Sequence, residues 1–306
     1  MKKEIKQKFI EILGNEKVLF EEPMSRHTTF RIGGPAEVFL MPENSSQLHD
    51  ILVLCKEEQL PCFILGNGSN LLVSDSGYRG VIIQMDRNMG EITLEGSEIR
   101  ACAGALLSSV AAVARKASLT GFEFAGGIPG SVGGAVVMNA GAYGGELKDV
   151  LKEATVMTAD GEILTLPVEK LQMGYRTSLV KTAGYLVLEA VISLEKGDPE
   201  AILARTKELS EKRMEKQPLD MPSAGSTFKR PEGYFAGKLI MDSGLRGFSV
   251  GGAQVSEKHC GFVVNKGNAT AADVRALMDH VIRTVKEKYG VTLEPEVKFL
   301  GDFDGR

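Results

Sequence analysis

The sequence predicts a mixed α and β protein built of two modules, the first larger than the second. Three observations predict this. Helix-period and strand-period apolar patterns alternate along the chain. A length of 306 residues fits two domains better than one. Composition shifts near Gly197, where a strongly charged segment begins. Apolar residues make up 43% and charged residues 25%, ordinary values for a chain able to bury a large core.

The N-terminal segment MKKEIKQKFIEIL reads as an amphipathic helix with Ile5, Phe9, Ile12 and Leu13 on one face. A helix over 47–58 follows, capped by Ser45 or Ser46 and stopped before Pro61. Strands are expected at 62–65 and 81–85, then a hairpin of 91–95 with 98–102 turning at Gly96–Ser97. A helix rich in alanine covers 106–117. Residues 124–145 hold eight glycines and no charge, which predicts a loop. Strands follow at 154–158, 163–166 and 185–194, with Asp160–Gly161 as a hairpin turn. In the C-terminal module, helices are expected at 199–216, 235–241 and 272–288, and strands at 262–264 and 297–300.

A net charge of -4 and a pI near 5.8 argue against broad nucleic-acid binding. The N-terminus lacks the apolar core of a signal peptide, and no apolar run approaches about 18 residues. A cytoplasmic protein without membrane or nucleic-acid partners is expected. The four cysteines form no CxxC pair and have no histidine at metal-ligand spacing, so no metal site is expected. Cys55, Cys62 and Cys102 lie in apolar stretches and read as buried thiols. Cys260, between His259 and Gly261, is left open.

The strongest local signal is GGIPGSVGGAVVMNAGAYGG, residues 126–145. Glycine clusters around Pro129 and Ser131 let backbone N–H groups converge on an anion. With no Lys or Arg in the segment, binding would rest on backbone dipoles and hydroxyls, as suits a pyrophosphate. GNGSN, 66–70, directly after a strand, is a second phosphate cradle, and two such loops suit a dinucleotide. Leu71 stands where GxGxxG needs its third glycine, so this is not a Rossmann fingerprint. GYFAGKL at 233–239 is too short for a P-loop, and GFSVG at 247–251 lacks the helix of a nucleophile elbow. Reactive residues also stand at Arg176 in GYRTS, Ser226 in SAGSTFKRP, and Glu296 in LEPEVKFLG. Their spacing alone does not place them together.

HTTFRIGGPA (27–36), LGNGSNLLVSD (65–75), the glycine segment (126–145), GYRTS (174–178), SAGSTFKRP (223–231) and LEPEVKFLG (293–301) occur in this order. Together they resemble the UDP-N-acetylenolpyruvoylglucosamine reductase family over nearly the whole chain. The short interval between Arg176 and Ser226 is similar to the family's shorter, type II branch. The resemblance implies an α+β architecture: a two-subdomain FAD-binding fold of the vanillyl-alcohol-oxidase type and a smaller α/β substrate domain. The corresponding boundaries are 1–197, with an internal split near 75–80, and 198–306. It implies non-covalent FAD, NADPH as hydride donor, and UDP-N-acetylglucosamine enolpyruvate as substrate in peptidoglycan precursor synthesis, in a monomer. Hydride goes to the terminal vinyl carbon, leaving an enolate at its neighbour. Arg176 and Glu296 would stabilise that charge, and Ser226 would protonate the carbon. Lys229 is expected to support Ser226.

Cofactor contacts carried over are Gly66, Asn67, Gly68, Ser69, Asn70 and Leu71, then Gly127, Ile128, Pro129 and Ser131, then Asn139, Gly141 and Ala142, with Arg213. Lys229, Arg230, Lys238 and His259 are the expected contacts of the charged UDP end. Two other readings are an FAD oxidase of the same superfamily, whose flavin is often tethered by a His or Cys that GNGSN lacks, and a nucleotide-binding module without catalysis.

Overall fold

Strands Leu71–Val73 and Lys298–Leu300, near opposite ends of the chain, pair in parallel. The computed structural model describes residues 1–303 and contains two compact units that interleave in sequence. The first is Met1–Leu19, Phe39–Asn67 and Val81–Arg213; the second is Phe20–Val38, Gly68–Gly80 and Met214–Arg306. Residues 304–306 of the expected 198–306 module lie outside the described residues. The units divide the chain otherwise than a single cut at 197 would. Two early segments fold with the C-terminal residues because their apolar side chains belong there. Phe30, Ile32 and Leu72 share one buried core with Leu239, Val263, Val274, Leu277 and Val281. The charged segment that marks the composition shift is a single helix, Pro199–Lys216, so the boundary falls inside it, after Arg213.

In the first unit, helix Lys3–Leu13 buries Ile5, Phe9 and Leu13 and packs on helix Ser45–Glu57. The second of these is capped by Asn44, not by either serine. Asn44 is extended, and its Oδ1 accepts the Gln47 N–H at 2.9 Å, satisfying a first-turn donor. Strand Cys62–Leu65 pairs in parallel with Tyr78–Gln84, Leu65 opposite Gln84, and then opens into the GNGSN loop. A five-stranded antiparallel sheet has the order Ile163–Pro167, Leu151–Met157, Leu186–Ser193, Glu98–Cys102, Ile92–Glu95. Its first hairpin turns at Asp160–Gly161, where Gly161 has φ +83° and the Thr158 N–H bonds the Glu162 carbonyl at 2.8 Å. Within the expected glycine loop lies a helix, Val132–Met138, packed on Leu186–Ser193. Glycines there serve packing: a Cβ at Gly133 would come within 3.0 Å of the Ala103 Cβ.

The second unit has a four-stranded antiparallel sheet in the order Ser223–Ser226, Phe262–Asn265, Ala253–Val255, Ser249–Val250. Helix Ala271–Tyr289 packs on this sheet with Val274, Leu277, Met278, Val281 and Val285 buried. Its N-terminus carries a capping box of Thr270 with Asp273. Asp75, remote in sequence, adds a second cap: its two carboxylate oxygens accept the N–H groups of Ala271 at 2.8 Å and Ala272 at 2.9 Å. No helix among the described residues is long and apolar enough to cross a membrane.

The thiols depart from expectation. Cys55 and Cys260 are buried, Cys102 is half-buried, and Cys62 is exposed. Cys62 opens its strand, before the chain turns inward to buried Leu65. A hydrogen bond from Cys55 brings the Cys62 pKa down to about 7 and pushes that of Cys55 up.

Two outcomes are expected. Asp75→Ala lowers unfolding stability by about 1–2 kcal/mol through the lost cap, while Asp75→Asn, which keeps one acceptor, costs less; urea titration followed by circular dichroism measures both. Iodoacetamide modifies Cys62 first in the folded protein, with a rate that rises as pH passes through about 7, against about 8.5 for an ordinary thiol. Peptide mapping by mass spectrometry checks the order, and Cys62→Ser removes the fast phase.

Candidate active site

The two glycine loops meet within the first unit. A Cβ at Gly66 would lie 2.4 Å from the Ser131 Oγ, so only glycine fits that close approach. Asn67 Nδ2 donates to the Pro129 carbonyl at 2.8 Å, so this side chain binds the second loop. Ser131 caps helix Val132–Met138, its Oγ accepting the Gly134 N–H at 3.4 Å. Among the described residues, the N–H groups of Gly66, Asn67, Gly68, Ser69 and Asn70 donate to no backbone carbonyl. Such a run of donors is what an anion requires.

The sequence-local absence of Lys and Arg is offset from elsewhere. The Arg213 guanidinium lies over Gly127, where an added Cβ would meet Nη1 at 2.2 Å. Burial pushes the Arg213 pKa down while Tyr143 acts against it, and an arginine keeps its charge in either case. The glycine loop therefore carries a half-buried cation supplied by helix Pro199–Lys216.

Helix Val132–Met138 ends at Asn139, a left-handed residue with φ +44° and 2% exposure. Its Nδ2 donates to Glu146 Oε2 at 2.8 Å and to the Gly174 carbonyl at 3.3 Å, and its Oδ1 accepts the Lys148 N–H at 3.0 Å. This side chain is committed to protein partners. Gly174 opens the tight turn that holds Arg176: the N–H and C=O of Gly174 and Thr177 exchange bonds at 3.0 and 3.2 Å. Arg176 takes φ +56°, a strained conformation for a side-chain-bearing residue. The turn is held twice more. Ser178 Oγ donates to the Val137 carbonyl at 2.9 Å, and Lys181 Nζ donates to the Arg176 carbonyl at 2.9 Å.

Glu146 was missed by sequence reasoning. It is the first charge after the glycine segment, which is the only signal it gives. Lys148 above all, then Asn139 and Arg176, hold its carboxyl below the usual range. Gly141 and Ala142 form a two-residue strand against Gly145–Glu146, so Gly141 is explained by that hairpin: a Cβ there would meet the Gly145 carbonyl at 2.7 Å.

The second unit assembles the other candidates. Gly225, at φ +74°, sits in a bulge where Ser223 faces Val264 but Ser226 faces Phe262. The bulge turns Ser226 out of the plain alternation of the strand. The next residue, Thr227, donates its N–H to the Gly261 carbonyl at 2.9 Å, and its carbonyl accepts the Glu296 N–H at 2.9 Å. The Glu296 backbone is thus bonded to the residue that follows Ser226. Leu71 is 3% exposed, so its side chain serves the core. The Lys229 Nζ pairs with Glu294 Oε2 at 2.9 Å. The Arg230 guanidinium lies over the Phe235 ring at 4.0 Å, and Lys238 pairs with Asp242 at 2.8 Å. His259 Nδ1 accepts the Gly261 N–H at 3.1 Å, and burial pushes its pKa down, so its ring is a neutral structural acceptor.

Residues 217–300 match the C-terminal domain of UDP-N-acetylenolpyruvoylglucosamine reductase, and residues 36–167 match the FAD binding domain. A reductase of that name from Lachnoclostridium phytofermentans is 53% identical over 97% of both chains; one from Agathobacter rectalis is 56% identical over 94% of this chain and 95% of its own. The chain belongs to the UDP-N-acetylenolpyruvoylglucosamine reductase family. The crystal structure of the reductase from Thermus caldophilus superposes with a TM-score of 0.80 at 36% identity, covering 93% of this chain and 98% of the other. Family membership establishes the two-subdomain flavin fold with its additional α/β domain, and makes the chain an FAD-dependent oxidoreductase. The site fits that cofactor. Consecutive N–H donors, glycines that leave no room for side chains, and the Arg213 charge are the chemistry a pyrophosphate needs.

Asn139→Ala is expected to lower stability by about 2 kcal/mol, because it leaves the Gly174 carbonyl and the Lys148 N–H without their partner and puts alanine at a left-handed φ. Asn139→Gly relieves the backbone part alone. Urea unfolding of both variants separates the two contributions.

Proposed function

We propose that this chain reduces UDP-N-acetylenolpyruvoylglucosamine to UDP-N-acetylmuramate, with NADPH as hydride donor, for peptidoglycan precursor synthesis in the cytoplasm. Kinship over nearly the full length supports the reaction. The carrying observation is the neighbouring placement of Ser226 and Glu296 in the second unit, Glu296 N–H bonding the carbonyl of the residue after Ser226 at 2.9 Å.

Once bound and reduced by NADPH, FAD would supply the hydride that reaches the terminal vinyl carbon. The chain's own residues answer the charge this creates. Electron density flows toward the substrate carboxylate as the carbon–carbon double bond is lost. Arg176, held in its strained turn, offers a fixed positive charge that needs no reorganisation at that moment. Glu296, in its protonated form, donates a hydrogen bond to the same developing aci-carboxylate. Ser226 Oγ–H delivers the proton to the neighbouring carbon, completing the addition of H– and H+. A serine is a weak acid in water, so its competence rests on placement, which the Gly225 bulge supplies. Gly66–Asn70 and Gly127–Ser131 hold the cofactor pyrophosphate, with Arg213 as the cation. Lys229, Arg230, Lys238 and His259 remain the candidates for the UDP end. The protein acts as a monomer.

Ser226→Ala is expected to leave flavin bleaching by NADPH within about threefold of wild type, and to slow reoxidation by the enolpyruvyl sugar nucleotide by about 10²–10⁴-fold, the usual contribution of a placed general acid. Stopped-flow flavin absorbance reads each half-reaction separately. Equal loss in both would make Ser226 structural, and a protein that takes up no FAD would overturn the reading altogether.

A further inference from the structure

Asn70 is the last residue of the GNGSN loop, and its side chain is turned to the protein. Its Nδ2 donates to the Glu296 carbonyl at 3.2 Å. A carbonyl oxygen only accepts, so the side-chain atom facing it must be the NH2 group. The backbone of Asn70 makes a second contact with the same segment: its carbonyl accepts the Lys298 N–H at 3.1 Å. From there the chain continues as the parallel pair with Leu71 opposite Lys298. On its other side the Glu296 N–H is held by the Thr227 carbonyl at 2.9 Å, and Phe228 bridges Pro295. The Glu296 backbone is therefore held at its N–H by the residue after Ser226, and at its C=O by the loop that presents N–H groups to the cofactor.

We propose that Asn70 is a positioning residue for Glu296, fixing the acid's backbone to the flavin loop through the Asn70 amide. This goes beyond the expected role of Asn70 as a cofactor contact, and it rests on the reading of Glu296 as the acid that stabilises the enolate. Only Asn meets the requirement here. Asp at neutral pH is nearly the same shape but presents oxygens to an oxygen. Ser is too short to span the distance that the amide covers.

The experiment is a double-mutant cycle on the FAD-loaded protein with Asn70→Asp and Glu296→Gln. Because the Asn70 N–H belongs to the cofactor loop, each variant is loaded at saturating FAD and its bleaching by NADPH serves as its own reference; the ratio of the two half-reactions is the readout for Asn70→Asp. Its reoxidation by the enolpyruvyl substrate slows on the order of 10²-fold, the cost of misplacing a reacting group by about an ångström. In the Glu296→Gln background the same change slows reoxidation less than about threefold, because the group it positions is already gone. Asn70→Ala, which cannot introduce a repelling oxygen, gives the same pattern with a smaller loss. An unchanged ratio in both Asn70 variants, or full multiplication of the two effects, overturns the proposal. If Glu296→Gln alone leaves reoxidation at the wild-type rate, the fault lies in the reading of Glu296 instead.

Discussion

The parallel pairing of Leu71–Val73 with Lys298–Leu300 is the constraint on which the second unit depends. It places a short segment from the first quarter of the sequence beside the last strand, and Leu72 enters the core that Val274, Leu277 and Val281 complete. The residues flanking this pair are those proposed to carry the chemistry. Just before Leu71 comes the end of the GNGSN loop; two residues before Lys298 comes Glu296. Two parallel strands in register necessarily bring their N-terminal flanks together. Asp75, just beyond the pair, caps helix Ala271–Tyr289 with both carboxylate oxygens. One pairing therefore sets the acid, the end of the cofactor loop and the long helix in a single frame.

The first unit uses a different device for the same purpose. Its glycine-rich helix is short and ends in a left-handed asparagine. Asn139 could have been replaced by glycine if conformation were the only demand. Its amide makes the difference, joining Glu146, Lys148 and the Gly174 turn that presents Arg176. Glu146 completes the arrangement by placing a carboxylate within reach of the Arg176 charge. Asn70 and Asn139 thus have corresponding tasks, each using an amide to tie a glycine-bearing loop to a residue outside it.

What the sequence discloses follows from the range of each interaction. Local signals were legible. Cys62–Leu65 and Pro199–Lys216 were read with the bounds they have in the fold, and Asp160–Gly161 closes its hairpin through the positive φ of Gly161. Helix Val132–Met138 was hidden because glycine weakens helices in isolation, while here Gly133 buys close contact with Ala103. Asn44 outcompeted two serines for a cap because its extended backbone set its oxygen over the first turn. Cys62 looked buried by composition, yet it stands at the exposed start of its strand. The placement of Arg213 over Gly127, the Asp75 cap and the Asn70 bond to Glu296 join residues distant in sequence, and no spacing rule contains them. Resemblance supplied the candidate residues, but not which of their atoms are already engaged.

That distinction matters most for the charged groups. A list of cations in the C-terminal unit suggests an anion site, but Lys229 and Lys238 pair with Glu294 and Asp242, and Arg230 lies on Phe235. Exposed ion pairs of this kind contribute at most about 1 kcal/mol each, so a diphosphate with two or more charges can displace them at little cost. Arg213 is different. It is half-buried, and burial already works against its charge. A half-buried cation beside a loop of N–H donors gains more from an anion than a surface lysine does, because the field is less screened there. The same physics separates the two sets of charges: Arg213 stands over the glycine loop in the first unit, while Lys229 and Lys238 are in exposed ion pairs in the second.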